Sequence, residues 1–355
     1  MNSSIQNVRL TQTVKKGGCA AKLPAGELKE VLAGLKTYQP GDLVVGHETM
    51  DDASLWDLHD GKYLIQTLDF FTPIVDDPFD FGAIAATNSI SDVYAMGGKP
   101  ITAMTILAFP GSELSLDLIR PLMDGALSVL NRAKTALVGG HTIDDETLKL
   151  GFSVSGFVPK NRAWTNSGAK PGDVLILTKG LGTGTLTAAL KKSEAKPEWI
   201  KTAIQSMTTL NDVIDALENI EVHSATDITG FGLAGHLSQM ATASGCGFQL
   251  QLNSLPWLPG ATECLEKGFL TRAHTTNAKY TADKTHWNLS ETDLGVWPEW
   301  KRKIIYDPQT SGGLLLSIPE KQANKALIKI QELGFVQASI IGQAVARSSQ
   351  LIEIR

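Results

Sequence analysis

The chemistry open to this chain is written first in its aspartates. Asp51 and Asp52 lie in the run His47-Glu48-Thr49-Met50-Asp51-Asp52-Ala53. Asp69 ends the strand-like run Leu64 to Leu68, Asp92 sits within an apolar helical stretch, and Asp227 stands in Thr226-Asp227-Ile228-Thr229-Gly230-Phe231-Gly232. Carboxylates at element ends suit Mg²⁺, which takes one or two of them and fills its octahedral shell with waters and substrate phosphates. Asp92 carries the strongest signal. Ile84, Ala85, Ala86, Ile90, Val93, Ala95 and Met96 surround it, and a carboxylate left unpaired there would be costly. A metal or a cationic partner resolves that cost. Each aspartate also has an ordinary reading as a helix cap or turn residue.

Phosphate handling needs a cradle, and the P-loop pattern G-x-x-x-x-G-K-[ST] does not occur. If phosphates are handled, metal ions must neutralise much of their charge. Gly139-Gly140-His141-Thr142 follows an apolar run and either presents backbone N–H groups to a phosphate or forms a plain tight turn. Gly180-Leu181-Gly182-Thr183-Gly184 resembles an anion-binding turn, although the dinucleotide spacing is not met.

Cys19 is the only cysteine in a polar, glycine-flanked setting. Lys22, three residues on, would favour its thiolate, and an idle exposed thiol is the competing reading. Cys246 and Cys264 lie in largely uncharged surroundings and read as small core residues, and no Cys/His cluster has zinc spacing.

These residues need elements to hold them. Residues 1–24 are polar and without clear periodicity, which predicts a mobile arm, and Pro24 to Leu35 predicts a first amphipathic helix. Strand-like runs follow at Leu43 to Val45 and Tyr63 to Leu68. Asp80 to Met96 predicts a helix stopped by Gly97, Gly98 and Pro100. Then come a strand at Ile101 to Phe109, a helix at Leu116 to Ala133, a buried strand at Ala136 to Val138 and another at Leu148 to Val158. Pro159 to Gly172 is the candidate linker. Beyond it the pattern predicts a strand at Asp173 to Thr178, helices near Trp199 to Glu218 and from Gly232 to Ala243, a helix at Lys321 to Leu333 and two terminal strands.

At 355 residues the chain exceeds one ordinary core, so two domains are expected. The division read from the pattern is 1–40 for the arm and first helix, 41–160 for an N-terminal domain, and 161–355 for a C-terminal α/β domain. Interleaved helices and strands make the class α/β or α+β. A composition of 43% hydrophobic and 19% charged residues is that of a folded chain, and a net charge of −5 without basic clustering excludes nucleic acid and membrane as expected partners. Three irregularly spaced cysteines and no apolar leader point to the cytoplasm.

Taken together the motifs resemble selenophosphate synthetase, also called selenide, water dikinase, along nearly the whole chain. The resemblance rests on Gly18 to Lys22, Glu48 to Ala53, Asp69 to Asp76, Ala85 to Pro100, Gly139 to Thr142, Thr226 to Gly232 and Asp307-Pro308-Gln309-Thr310-Ser311-Gly312-Gly313. It implies an ATP enzyme of the aminoimidazole ribonucleotide synthetase type, a homodimer built around a β-barrel of N-terminal domains, with a C-terminal domain of mixed sheet and packed helices. It assigns ATP and metal binding and dimerisation to the domain 41–160, with the domain 161–355 completing the site. The implied reaction makes selenophosphate from ATP, selenide and water, releasing AMP and phosphate. Carried over, Asp52, Asp92 and Asp227 bind Mg²⁺. Lys22, Thr49, Met50, Asp51, Asp69, Asp92 and Gly139, Gly140, His141, Thr142 hold the nucleotide, and Cys19 and Lys22 are catalytic. A selenium-delivery protein is a further implied partner. Ala21 stands where the family often has a second cysteine, which argues against a two-thiol role for this segment.

Overall fold

The computed structural model describes residues 8–355 apart from Pro24, Ala33 and Lys36, and of Cys19, Ala20, Ala25 and Lys29 only the backbone. Thirteen strands form two mixed sheets. The first contains β1 (Leu43–Val45), β2 (Ser54–Asp57), β3 (Lys62–Phe71), β4 (Lys99–Phe109), β5 (Ala136–Asp144) and β6 (Lys149–Pro159), in the order β1-β2-β3-β6-β4-β5. Only β4 and β5 are parallel in it. The second contains β7 (Asp173–Leu177), β8 (Ser224–Asp227), β9 (Gly247–Leu250), β10 (Thr285–Trp287), β11 (Leu314–Pro319), β12 (Ser339–Val345) and β13 (Ile352–Ile354), in the order β10-β13-β9-β12-β7-β11-β8. The mixed α/β class expected from the pattern is therefore present in both halves.

The helix Pro78–Ala95 sits at the centre of the molecule, and its residues from Phe81 to Ala95 are all buried. Asp77 caps it by accepting from Asp80 N at 2.9 Å, with Pro78 in the first turn, and Gly97 at φ 75° turns the chain away at the other end. It lies against β3 and β6 on one side and the helix Ile119–Arg132 on another. Backbone meets backbone between the two helices. A Cβ on Gly82 would come within 1.8 Å of Leu122 O, and one on Gly125 within 1.9 Å of Phe79 O.

The first sheet has one face covered by this helix and one bare. Along β3, Ile65 and Phe71 are buried while Leu68 and Phe70 are 53% and 44% exposed, the period-two alternation of a half-covered sheet. Leu68 and Met104 both pair with Ser153 and so share the bare face. The sheet is open, with β1 and β5 as its unpaired edges, so one chain does not close the expected barrel by itself.

The structure departs from the sequence pattern at three further places. The strand expected as buried at Ala136 to Val138 runs on to Asp144 and is exposed, because it is the sheet's edge. The helix expected from Trp199 to Glu218 is Pro197–Met207. It stops at Thr208, whose N–H still bonds Ile204 O at 2.9 Å, beyond which Thr209 N turns to Ser206 O at 3.2 Å and the ladder is not continued. The segment expected as an arm is seated, with Leu10 and Val14 buried and its backbone tied down from residue 11 to residue 18. Its anchors come from both halves. Arg9 bonds Asp76 at 2.9 Å and donates to Leu190 O at 3.0 Å, and Thr72 O receives Gly18 N at 3.0 Å. The seating uses backbone groups together with the Arg9, Thr11 and Gln12 side chains, whose distant partners a polar sequence does not reveal.

The helix contact predicts that Gly125→Ala lowers stability by about 2 to 3 kcal/mol, the cost of overpacking a close approach that cannot give. Urea unfolding measures it, and an unchanged midpoint would contradict the packing described.

Candidate active site

The three aspartates expected as metal ligands converge at the seam of the two sheets. One carboxylate oxygen from each of Asp52, Asp92 and Asp227 lies within 4.8 Å of the others. Asp52 precedes β2, Asp92 projects from the central helix, and Asp227 closes β8. Each carries one hydroxyl donor: Thr226 Oγ1 to Asp52 Oδ1 at 3.0 Å, Thr67 Oγ1 to Asp92 Oδ2, and Ser91 Oγ to Asp227 Oδ2 at 2.6 Å. Asp52 Oδ2 is buried and takes no hydrogen bond. An orphaned carboxylate oxygen facing two further carboxylates is the donor set a hard divalent cation would complete.

Asp69 lies beside this cluster, inside β3 and two residues short of its end. Lys22 Nζ bridges its two oxygens at 3.0 and 3.1 Å, and Asn88 Nδ2 donates to it at 2.6 Å. Lys22 thus brings the N-terminal segment to the rim of a pocket of about 280 Å³ that also contains Asp51, Asp52, Asp92 and Asp227. Asp51 accepts from Asn166 N at 2.5 Å and from Thr49 Oγ1, and Met50 O accepts from Asn166 Nδ2 at 2.6 Å. Asp51 therefore behaves as a turn residue that ties this loop to the segment between the sheets. The Cys19 side chain lies outside the described residues, and its backbone belongs to the short turn Gly18–Ala21.

Gly139, Gly140, His141 and Thr142 are not in this pocket. They lie within β5, where Gly140 pairs with Thr105, Thr105 with Phe152 and Phe152 with Asp69. Three strand spacings, about 14 Å, therefore separate Gly140 from Asp69 within one chain. The glycine is needed at 140 because a Cβ would meet Thr105 O at 2.4 Å. The turn at Gly182 to Gly184 is already satisfied. Gln309 Oε1 accepts from Gly182 N and Thr183 N at 3.1 and 3.2 Å, and Asp307 Oδ2 accepts from Gly184 N at 3.1 Å. Its resemblance to an anion-binding turn is explained by these internal acceptors.

Several supporting residues escaped the sequence reading. Asn88 and Ser91 share with Asp92 the spacing i, i+3, i+4 and form one polar stripe on the central helix, aimed at Asp69, Asp227 and Thr67 in turn. That spacing was the available signal. Asn211 donates to Ser91 Oγ at 2.9 Å and to Gly312 O at 2.8 Å, linking the stripe to the second half. Lys179 is buried, donates to Thr209 O at 2.7 Å and Ser311 O at 3.1 Å, and is pulled down to about 7 by burial. His236, whose Nε2 accepts from Thr229 N at 3.1 Å, is lowered to about 3 by burial and stays neutral.

Burial first, and then repulsion among the cluster, holds the Asp52 and Asp92 carboxyls well above the ordinary range. Burial lifts Asp227 to about 6, against the lowering effect of its Ser91 hydrogen bond. A raised carboxyl keeps a proton in the folded chain that the unfolded chain has lost. Asp227 therefore contributes stability to the metal-free fold at low pH that is lost as pH rises through about 6, and the raised Asp52 and Asp92 act in the same direction.

Two models described as AIR synthase related protein match the chain, the N-terminal domain over residues 50–158 and the C-terminal domain over residues 170–354. The chain is 48% identical, over 97% of both sequences, to a selenide, water dikinase of Bdellovibrio bacteriovorus. It is 45% identical to one of Nitrosomonas eutropha, over 98% of this chain and 99% of that one. Among solved structures it resembles a thiamine-monophosphate kinase from Stenotrophomonas maltophilia, with a TM-score of 0.62 at 19% identity, covering 94% and 96% of the two chains. The hydrogenase maturation protein HypE in complex with ATP gives 0.60 at 17%, covering 100% and 92%. Those two likenesses concern the fold.

The geometry predicts that Mg²⁺ raises the unfolding temperature at pH 8 and has little effect at pH 5, where protons occupy the cluster. At about a hundredfold excess over its dissociation constant the gain is about 2.7 kcal/mol. Asp92→Asn removes it. Thermal unfolding at the two pH values reads this directly, and an equal Mg²⁺ effect at both, or one that survives in Asp92→Asn, would contradict the cluster's role.

Proposed function

The chain belongs to the selenide, water dikinase family, and from that premise we propose how its own residues serve the reaction. It is an ATP-dependent phosphotransferase that makes selenophosphate from selenide, ATP and water, releasing AMP and phosphate. The observation that carries the assignment of roles is the convergence of Asp52, Asp92 and Asp227 within 4.8 Å around an orphaned Asp52 oxygen. These three hold Mg²⁺, which when bound neutralises phosphate charge and orients the transferring group.

The remaining work falls to the chain itself. Lys22 rests on Asp69 and exchanges that carboxylate for a phosphate oxygen when nucleotide enters, so Asp69 stores the cation at the rim. Asn88 keeps Asp69 in position. Thr49, Met50 and Asp51 border the nucleotide through the loop that Asn166 fixes. Cys19, three residues before Lys22, brings one thiol to the incoming selenium, and Ala21 limits the segment to that single thiol.

The chain works as a homodimer. Its support is the bare face of the first sheet, where Leu68, Phe70 and Met104 are exposed, together with the open β5 edge bearing Val138 and Ile143. A second copy covering that face would close the two open sheets into a barrel. Gly139 to Thr142, too far from their own pocket, would then serve the nucleotide in the partner's. No helix among the described residues is long and apolar enough to cross a membrane, and the buried thiols Cys246 and Cys264 suit a reducing cytoplasm.

Lys22→Ala is expected to lower selenide-dependent AMP formation by about 10² to 10³, the cost of one lost charge at a transferring phosphate. Cys19→Ser loses selenide-dependent AMP formation and retains ATP binding. Turnover assays with nucleotide titration check both, and full activity in either variant would refute its assigned role.

A further inference from the structure

The seated N-terminal segment spends its backbone on the fold and leaves its cations outside. Gln12 Nε2 donates to Lys191 O at 2.7 Å, Lys191 Nζ donates to Val14 O and to Lys15 O at 3.1 Å, and Thr72 Oγ1 donates to Lys16 O at 2.5 Å. Through these bonds Lys15 and Lys16 are fixed in place, yet their side chains are exposed and no carboxylate lies within ion-pair distance of either among the described residues. They face a cleft of about 470 Å³ whose opposite wall carries Lys191 and Lys192 from the end of the helix Thr183–Lys191 and Arg272 from the start of the helix Arg272–Thr281. Among the described residues none of its lining side chains is acidic. Five cations thus converge in a chain whose net charge is −5.

Arg272 is placed against the dipole of its own helix, since a helix N-terminus favours anions and repels cations. Arrangements of this kind cost stability unless an anion is present to share both. Shared lining residues link the cleft to the carboxylate pocket, with Glu27 as an acidic side chain on the way. A smaller cavity between them shares Lys16 and Arg272 with the outer cleft, and Lys22 and Phe231 with the inner pocket. An anion leaving the pocket past Lys22 meets Lys16 and Arg272 next.

We propose that this cleft is a binding site for phosphate-class oxyanions, outside the carboxylate pocket and joined to it along Lys22, Lys16 and Arg272. Resting on the reaction described above, its occupants are the products, because AMP, phosphate and selenophosphate are all anions of this class. The carboxylates that favour Mg²⁺ repel a phosphate once it is released, and the basic cleft draws it outward. The N-terminal segment then has two sides, with Lys22 turned to the reacting phosphates and Lys15 and Lys16 to the departing ones.

The test is calorimetric titration of the full chain with inorganic phosphate, without ATP or Mg²⁺ and at ionic strength matched with chloride. Wild type and Asp92→Asn are expected to bind phosphate saturably and alike. The variant Lys15→Ala/Lys16→Ala/Lys192→Ala, which spares Lys191 because that residue holds the segment, is expected to bind about tenfold more weakly, as the loss of three nearby charges requires. Lys192→Ala alone, whose side chain makes none of the segment's anchoring bonds, shows a smaller loss in the same direction. In turnover, phosphate inhibition is relieved in the triple variant while KM for ATP is unchanged. Equal phosphate affinity in wild type and the triple variant, loss of binding in Asp92→Asn, or displacement by chloride as effective as by phosphate would overturn the proposal. Intact phosphate binding in a chain that forms no AMP from selenide and ATP would uphold the site and contradict the reaction.

Discussion

Three buried carboxylates that repel one another are the constraint around which this molecule is arranged. In an ordinary core such a group would be eliminated, since desolvation and like-charge proximity both oppose ionisation. Here each carboxylate is supplied by a different piece of the fold. The loop before β2, the central helix and the end of β8 each deliver one, so neither sheet holds the site alone. The hydroxyls of Thr226, Thr67 and Ser91 orient them without cancelling their charge. The arrangement is poised for a cation from outside.

The surrounding structure keeps that geometry rigid. The helix bearing Asp92 is wedged at backbone distance against its neighbour through Gly82 and Gly125. Asn211 and Lys179 fasten the 207–211 segment to the Ser311-Gly312 turn, and Asn211 reaches across to Ser91. Gln309 and Asp307 consume the N–H groups of the Gly182 to Gly184 turn, which keeps anions away from that helix end and lets the second half present Asp227 as its main chemical group. Among the described residues lining the carboxylate pocket the cationic side chain is Lys22, which lies against Asp69, while Lys15 and Lys16 of the same segment face the outer cleft.

Much of this was legible in the residues. Asp92 stood out because its neighbours were apolar, and Gly97-Gly98 marked the end of its helix as observed. From its residues alone Lys22 read as a neighbour favouring the Cys19 thiolate, and a phosphate role came only from the family resemblance, since a lysine in a polar segment has no distinctive surroundings in sequence. Asn88 and Ser91, at helical spacing from Asp92, were passed over because polar residues at that spacing usually face water. Gly139 to Thr142 read as a turn, whereas pairing with β4 extends them as an edge strand, and edge position depends on long-range topology. The short strands β9 and β10 owe their existence to neighbours far along the chain. The seating of residues 9 to 18 was hidden because its backbone and side-chain bonds reach partners such as Asp76, Leu190 and Lys191 far along the chain.

The central claim is that Asp52, Asp92 and Asp227 share one divalent cation at the seam. Its most direct test is the anomalous difference density of a crystal grown with Mn²⁺ and a non-hydrolysable ATP analogue. The account predicts a peak at about 2.1 to 2.2 Å from an oxygen of each of the three aspartates. A peak bound elsewhere, or nucleotide bound with the three carboxylates still facing one another and no ion between them, would contradict it.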